Sequence, residues 1–122
     1  MYGFKVQQSE RFRSRFKGYT KKHKKEMEAI RKNLYSTLEM LGELSLPIHQ
    51  IKFGPLKCEF GNVFRLSPQG GGVGLKPIRL YFSIDESKKI LYLLCLGTKT
   101  RQSEDINYCK REVKKQGSTI NG

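Results

Sequence analysis

Acidic side chains are scarce in this chain. Eleven Asp and Glu stand against 24 Lys and Arg in 122 residues, a formal charge of +13. Such a charge repels itself and is usually retained because the partner is polyanionic: nucleic acid, a ribosome, an anionic membrane or an acidic protein. The excess is not one tail, since residues 1–50 carry 11 basic and 5 acidic groups and residues 51–122 carry 13 and 6. Cysteine is sparse too. Cys58, Cys95 and Cys109 form an odd set without close pairing, which reads as small buried hydrophobes in a reducing, cytoplasmic compartment. Long apolar runs are missing: residues 90–96 are the longest, far short of the ~20 residues of a membrane span. The opening MYGFKVQQSERFR has no apolar core of a secretory signal. Neither histidine, His23 or His49, has cysteine or carboxylate at ligand spacing, so no metal and no cofactor is expected. There is no nucleophile elbow and no paired-carboxylate arrangement. Chemistry must therefore come from Arg, Lys and Tyr, with Glu59 as an outside candidate.

What is present is a pattern of alternation and helical spacing. Tyr2, Phe4 and Val6 alternate and predict a first strand. Ser9 can cap a helix whose apolar positions run Phe12, Phe16, Tyr19, His23, Met27, Ile30, Leu34, Leu38 and Leu41, all steps of three and four. Gly18 is the expected break, giving helices over 9–17 and 22–42, and Gly42 fits the C-terminal end. Residues 47–57 read as a connector and 62–67 as a second strand, with Phe64 and Leu66 inward. PQGGGVG, residues 68–74, is a loop. It is not a phosphate-binding loop, because Lys76 is followed by Pro77 and a strand rather than by Ser or Thr and a helix. In IRLYFSID, Ile78, Leu80, Phe82 and Ile84 face one way and Arg79, Tyr81 and Ser83 the other. Residues 90–96 are apolar on both faces, which predicts a central strand. Ser103 is the expected cap of a last helix, with Glu104 and Asp105 in its first turn. The expectation is one α+β domain over residues 1–122, a small, mostly antiparallel sheet packed on an N-terminal helix pair with a C-terminal helix.

The candidate chemistry is cationic. Arg65 and Arg79 stand on strands opposite the apolar faces; on neighbouring strands the two guanidiniums would converge on one phosphate. The alternative is a solvated outer face, against which Tyr81 beside Arg79 argues. On the last helix Ile106, Cys109 and Val113 form the apolar stripe, and Tyr108 lies off it with Arg111 and Lys115. An aromatic on a cationic face, just after Lys99 and Arg101, suits base stacking or proton transfer, or else edges the core. Eight basic side chains and no acid lie between residues 11 and 25, either a solvated helix face or a grip on a phosphate backbone. Tyr81, Arg111, Lys115 and Lys76 are the further candidates for RNA contact.

GNVFRL, IRLYFSID, ILYLLCLGTKTR and the tyrosine-bearing last helix resemble the RelE/ParE superfamily of bacterial toxins, most sharply over residues 60–112, with the N-terminal strand and the Phe12/Phe16 helix agreeing more loosely. The resemblance implies a β-α-α-β-β-β-α order and a toxin of a toxin–antitoxin pair. It implies either an mRNA endonuclease that works on the ribosome without a metal, or a gyrase inhibitor; a plain RNA- or ribosome-binding module is the third reading. The matching positions are Arg79 in the "yRlvY" strand, Arg65 in the strand before it, and Lys99 and Arg101 after the "vG" strand end. Tyr108 matches the tyrosine of the last helix, about one turn late. The implied partners are an acidic antitoxin and mRNA on the ribosome.

Overall fold

The computed structural model describes the backbone of residues 2–121 and the side chains of residues 2–116. Strand β1 (Lys5–Gln8) leads into α1 (Glu10–Lys22). Ser9 caps this helix, its hydroxyl oxygen accepting the Phe12 N–H at 3.0 Å, which satisfies one of the donors a helix start leaves unpaired. The helix does not break at Gly18. It runs on to Lys22 and turns at His23, whose backbone leaves the helical region at φ −123°, ψ 52°. The Gly18 site is exposed and uncrowded, so glycine costs the helix only ~1 kcal/mol there. His23, by contrast, is buried with its ring edge-on to Tyr19 at 5.3 Å. Helix α2 (Lys24–Leu44) passes through Gly42 and ends at Ser45, which takes the left-handed conformation.

A short 3₁₀ turn (Ile48–Gln50) precedes β2 (Leu56–Phe60), a strand the sequence pattern does not predict and whose first two residues fall in the expected connector 47–57. Its side chains do not alternate cleanly: only Leu56 is buried, because β2 is an edge strand. Strands β3 (Val63–Leu66), β4 (Ile78–Asp85) and β5 (Ile90–Thr98) follow, then a 3₁₀ turn (Lys99–Arg101) and α3 (Gln102–Asn121). The helix thus starts before Ser103, which lies in its first turn and not at its cap. The result is an α+β fold: five strands ordered β1-β5-β4-β3-β2, antiparallel except for the parallel β1–β5 pair, with three helices.

Both faces of the sheet are covered. Helices α1 and α2 bring Phe12, Ile30, Leu34 and Leu38 onto the inner face of Phe64, Leu66, Leu80, Phe82, Leu93 and Leu96. Cys109, Ile106 and Val113 of α3 cover the outer face of Val63, Tyr81, Leu94 and Cys95. An irregularity makes this double use of β5 possible. Tyr81 pairs with Cys95 but Phe82 pairs with Leu93, so Leu94 is the extra residue of a bulge. Hence Leu93 and Leu96 serve the inner core while Leu94 and Cys95 serve the outer one. Cys95 and Cys109 are buried as expected; Cys58 on the edge strand is exposed instead. Among the described residues no helix is long and apolar enough to cross a membrane.

Candidate nucleic-acid interface

The antiparallel β3–β4 ladder sets Arg65 opposite Tyr81, two residues from Arg79. Side chains two apart on a strand share a face, so both arginines lie on the outer face, diagonal neighbours with Cα atoms roughly 7–8 Å apart. Neither is a loose surface charge. Arg65 Nη1 pairs with Glu59 Oε1 at 2.9 Å, and Arg79 Nη1 donates to Gln102 Oε1 at 2.5 Å. Glu59 is therefore the counter-charge of Arg65 rather than an independent base.

The β4–β5 register pairs Ile78 with Thr98 and Arg79 with Gly97. Arg79 consequently sits at the end of the sheet where β5 hands over to the turn carrying Lys99 and Arg101, both exposed. Helix α3 begins there, its Gln102 N–H bonded to the Lys99 carbonyl, and the positive end of its dipole is offset by Glu104 and Asp105 in the first turn. Arg65, Arg79, Lys99, Arg101 and a helix N-terminus are thus gathered at one end of the molecule. Lys76 is exposed just ahead of β4 at the same end, its backbone N–H held by Glu26 Oε2 of α2 at 2.8 Å.

Two tyrosines lie elsewhere than expected. Tyr81 is completely buried beneath α3, so it cannot stack on a base. Burial raises its pKa and the neighbouring Arg79 only partly opposes this, which keeps the phenol protonated. Tyr108 lies across the helix from the arginines. Lys110, two residues and so about 200° further round α3, stands over Phe60 of β2, whereas Tyr108 meets α1. There the Arg11 guanidinium caps the Tyr108 ring at 4.2 Å and the Arg11 N–H donates to its hydroxyl at 3.2 Å. Tyr108 braces α3 against α1 and does not join the Arg65–Arg79 group. Lys115 is on the same α1 flank, beside Glu112 at 3.5 Å, and Arg111 is exposed.

The residue that organises this flank is one the sequence pattern assigned only to the helix dipole. Asp105 is completely buried; its Oδ1 accepts from Arg15 Nη1 at 2.9 Å and lies 3.7 Å from Arg11 Nη1. Arg15 also donates to the Leu96 carbonyl at 2.8 Å, so α1, β5 and α3 meet at one ion pair. Burial is the largest single influence and works against the Arg15 charge, yet the bond to Asp105 together with the charges of Cys95, Asp105 and Tyr19 outweighs it and the pKa rises. Burial, seconded by the Asp105 charge, pushes the Cys95 thiol up to about 12, so it is inert. Gly97 is obligatory here, since a Cβ would overlap Asp105 Oδ2. Two of the eight cations between residues 11 and 25 are therefore structural. The spacing held the signal: Asp105 shares the Cys109 face of α3 at i, i+4, and Arg11 and Arg15 share a face of α1 at i, i+4. No protein-family model, curated protein or solved structure matches this chain.

Proposed function

We propose that this protein is a toxin of the RelE/ParE kind, an endonuclease that binds mRNA on the ribosome and cuts it without a metal. The observation that carries the reading is the gathering of Arg65, Arg79, Lys99 and Arg101 around the α3 N-terminus. The element order supports it, apart from the additional edge strand β2. In RNA cleavage a 2′-hydroxyl attacks the adjacent phosphorus, charge builds on the phosphate oxygens, and the 5′ oxygen leaves with a proton. Arg79 and Arg65 hold the phosphate, because a guanidinium fork engages two oxygens at once. Lys99 is the one cation of the four whose chemistry allows proton transfer, since arginine stays protonated in proteins. A gyrase-binding reading of the same resemblance makes no use of four cations at one end.

One observation favours a second reading, an RNA- or ribosome-binding module without chemistry. Tyr108 is committed to α1 and Glu59 to Arg65, which takes both away from acid–base work beside the arginines. Cell-free translation followed by primer extension on the mRNA separates the two. The nuclease leaves breaks at codon spacing; the module binds RNA or ribosomes and leaves the message whole. An absence of both cleavage and binding overturns the RNA reading altogether.

A further inference from the structure

Beneath α3 the sheet holds a polar group that its surroundings do not satisfy. Tyr81 is completely buried, and among the described residues its hydroxyl has no hydrogen-bond partner. Such a hydroxyl carries a desolvation penalty that phenylalanine, of nearly the same shape, would avoid. Its neighbours say which group it serves. Arg65 of β3 and Cys95 of β5 lie directly opposite, and Arg79 is two residues back along β4 on the same face. The charged groups that act on the hydroxyl are Arg79, Glu59 and Asp105. Glu59 is already paired with Arg65 and Asp105 with Arg15, each at 2.9 Å. Arg79 Nη1 donates instead to the neutral amide oxygen of Gln102, the first residue of α3. Burial, opposed chiefly by Arg79, raises the Tyr81 pKa, so the group beside the guanidinium is a neutral phenol.

We propose that Tyr81 is a positioning residue for Arg79: its hydroxyl oxygen accepts a guanidinium N–H as the phosphate arrives and, with Gln102, fixes the fork toward the scissile group. The inference rests on the RNA-cleaving reading above. Three features carry it. A guanidinium engages two phosphate oxygens at once only when its plane is set, and the residue paired with Arg79 across β5 is Gly97, which has no side chain to set it. Support must therefore come from Gln102 and from Tyr81. Both are neutral, so they hold the arginine without cancelling its charge, whereas Glu59 partly cancels that of Arg65. A phenol oxygen accepts hydrogen bonds and its O–H rotates to suit, which lets it serve a guanidinium that shifts towards a ligand. Tyr81 itself is sealed under α3 and touches no substrate, so it acts through Arg79 alone.

The test is single-turnover cleavage of mRNA on translating ribosomes by the full chain, in excess and at varied concentration, alongside thermal melting. Tyr81→Phe removes the oxygen alone. Its maximal cleavage rate should fall about tenfold, the effect of one hydrogen bond to a charged group. The half-saturating concentration should stay within about twofold of wild type, and the melting temperature should be at or above the wild-type value. In an Arg79→Ala background the same change should not slow the residual cleavage further, because the two residues act as one unit. Gln102→Glu sets a carboxylate on Arg79 and should also slow cleavage about tenfold or more, with the fold kept, since an acid suits the first turn of a helix. A lowered melting temperature with an unchanged rate per folded molecule makes Tyr81 a structural residue and overturns the proposal. Wild-type rates in Tyr81→Phe or in Gln102→Glu overturn it too, as does an undiminished effect of Tyr81→Phe in the Arg79→Ala background. In each of these cases the wild-type chain still cuts, so the nuclease reading stands. If the wild-type chain leaves the message whole, that reading fails and this inference fails with it.

Discussion

The guanidinium of Arg79 is the one on which the proposed RNA site depends most. It is partly exposed and held by Gln102, not by a carboxylate, so its charge is available to an incoming phosphate. Arg79→Ala should leave the melting temperature within a few degrees of wild type and remove most RNA cleavage and growth inhibition. A well-folded variant that remains fully toxic excludes Arg79 from the site. Tyr108 behaves in the opposite way. Its hydroxyl accepts the Arg11 N–H and its ring carries the Arg11 cation, so Tyr108→Phe should cost about 0.5–1.5 kcal/mol of stability in urea titrations. Cleavage per folded molecule should stay unchanged; a large fall in turnover with unchanged stability would return the hydroxyl to the chemistry.

Between elements, the buried Asp105 carboxylate holds α1, β5 and α3 together. Asp105→Ala leaves Arg15 and Arg11 uncompensated and should cost about 3–5 kcal/mol, read as a fall in the urea midpoint. Replacing the whole cluster by apolar residues, Asp105→Leu with Arg15→Met and Arg11→Met, should recover most of that loss. A second joint gives a pH dependence. The Lys76 N–H lowers the Glu26 pKa below its ordinary 4.5, so the bond stabilises the fold fully above that value and fades as pH falls through the lower, folded one. Glu26→Gln should therefore be less stable than wild type at pH 7, with the gap closing in the acid range when unfolding is followed by circular dichroism. The elements themselves were largely legible in the sequence. The three- and four-residue steps from Phe12 to Leu41 named both helices, although the turn between them falls at His23, where a buried ring outweighs the propensity of an exposed glycine. Strand β2 was not legible, because an edge strand with one buried residue carries no period. Alternation placed Arg65 and Arg79 opposite the apolar faces, whereas the pairing of their strands comes from the β3–β4 ladder. The position of Tyr108 was not legible, because it depends on which neighbour each flank of α3 meets, and that is a property of the packed molecule.

Across the whole molecule, four cations at one end should make RNA binding steeply salt-dependent. The logarithm of affinity should fall against the logarithm of salt with a slope of about −3, shallower by about 0.7 in Arg79→Ala. A slope near zero excludes a phosphate-reading surface. Expression alone should arrest growth, and co-expression of an acidic antitoxin should restore it and bring a smaller acidic chain through purification. The sheet order also governs when such a protein becomes active. Strand β1 lies beside β5, and Arg15 reaches Asp105 across 90 residues of chain, so the first contact waits for residues 90–93 to be made and the second for residue 105. Contacts this distant in sequence form late and slowly. On a translating ribosome, α1 and α2 emerge long before the sheet that buries them and before the turn bearing Lys99 and Arg101. The nascent chain thus presents the basic helix pair early and completes its cationic end only after residue 101 has emerged.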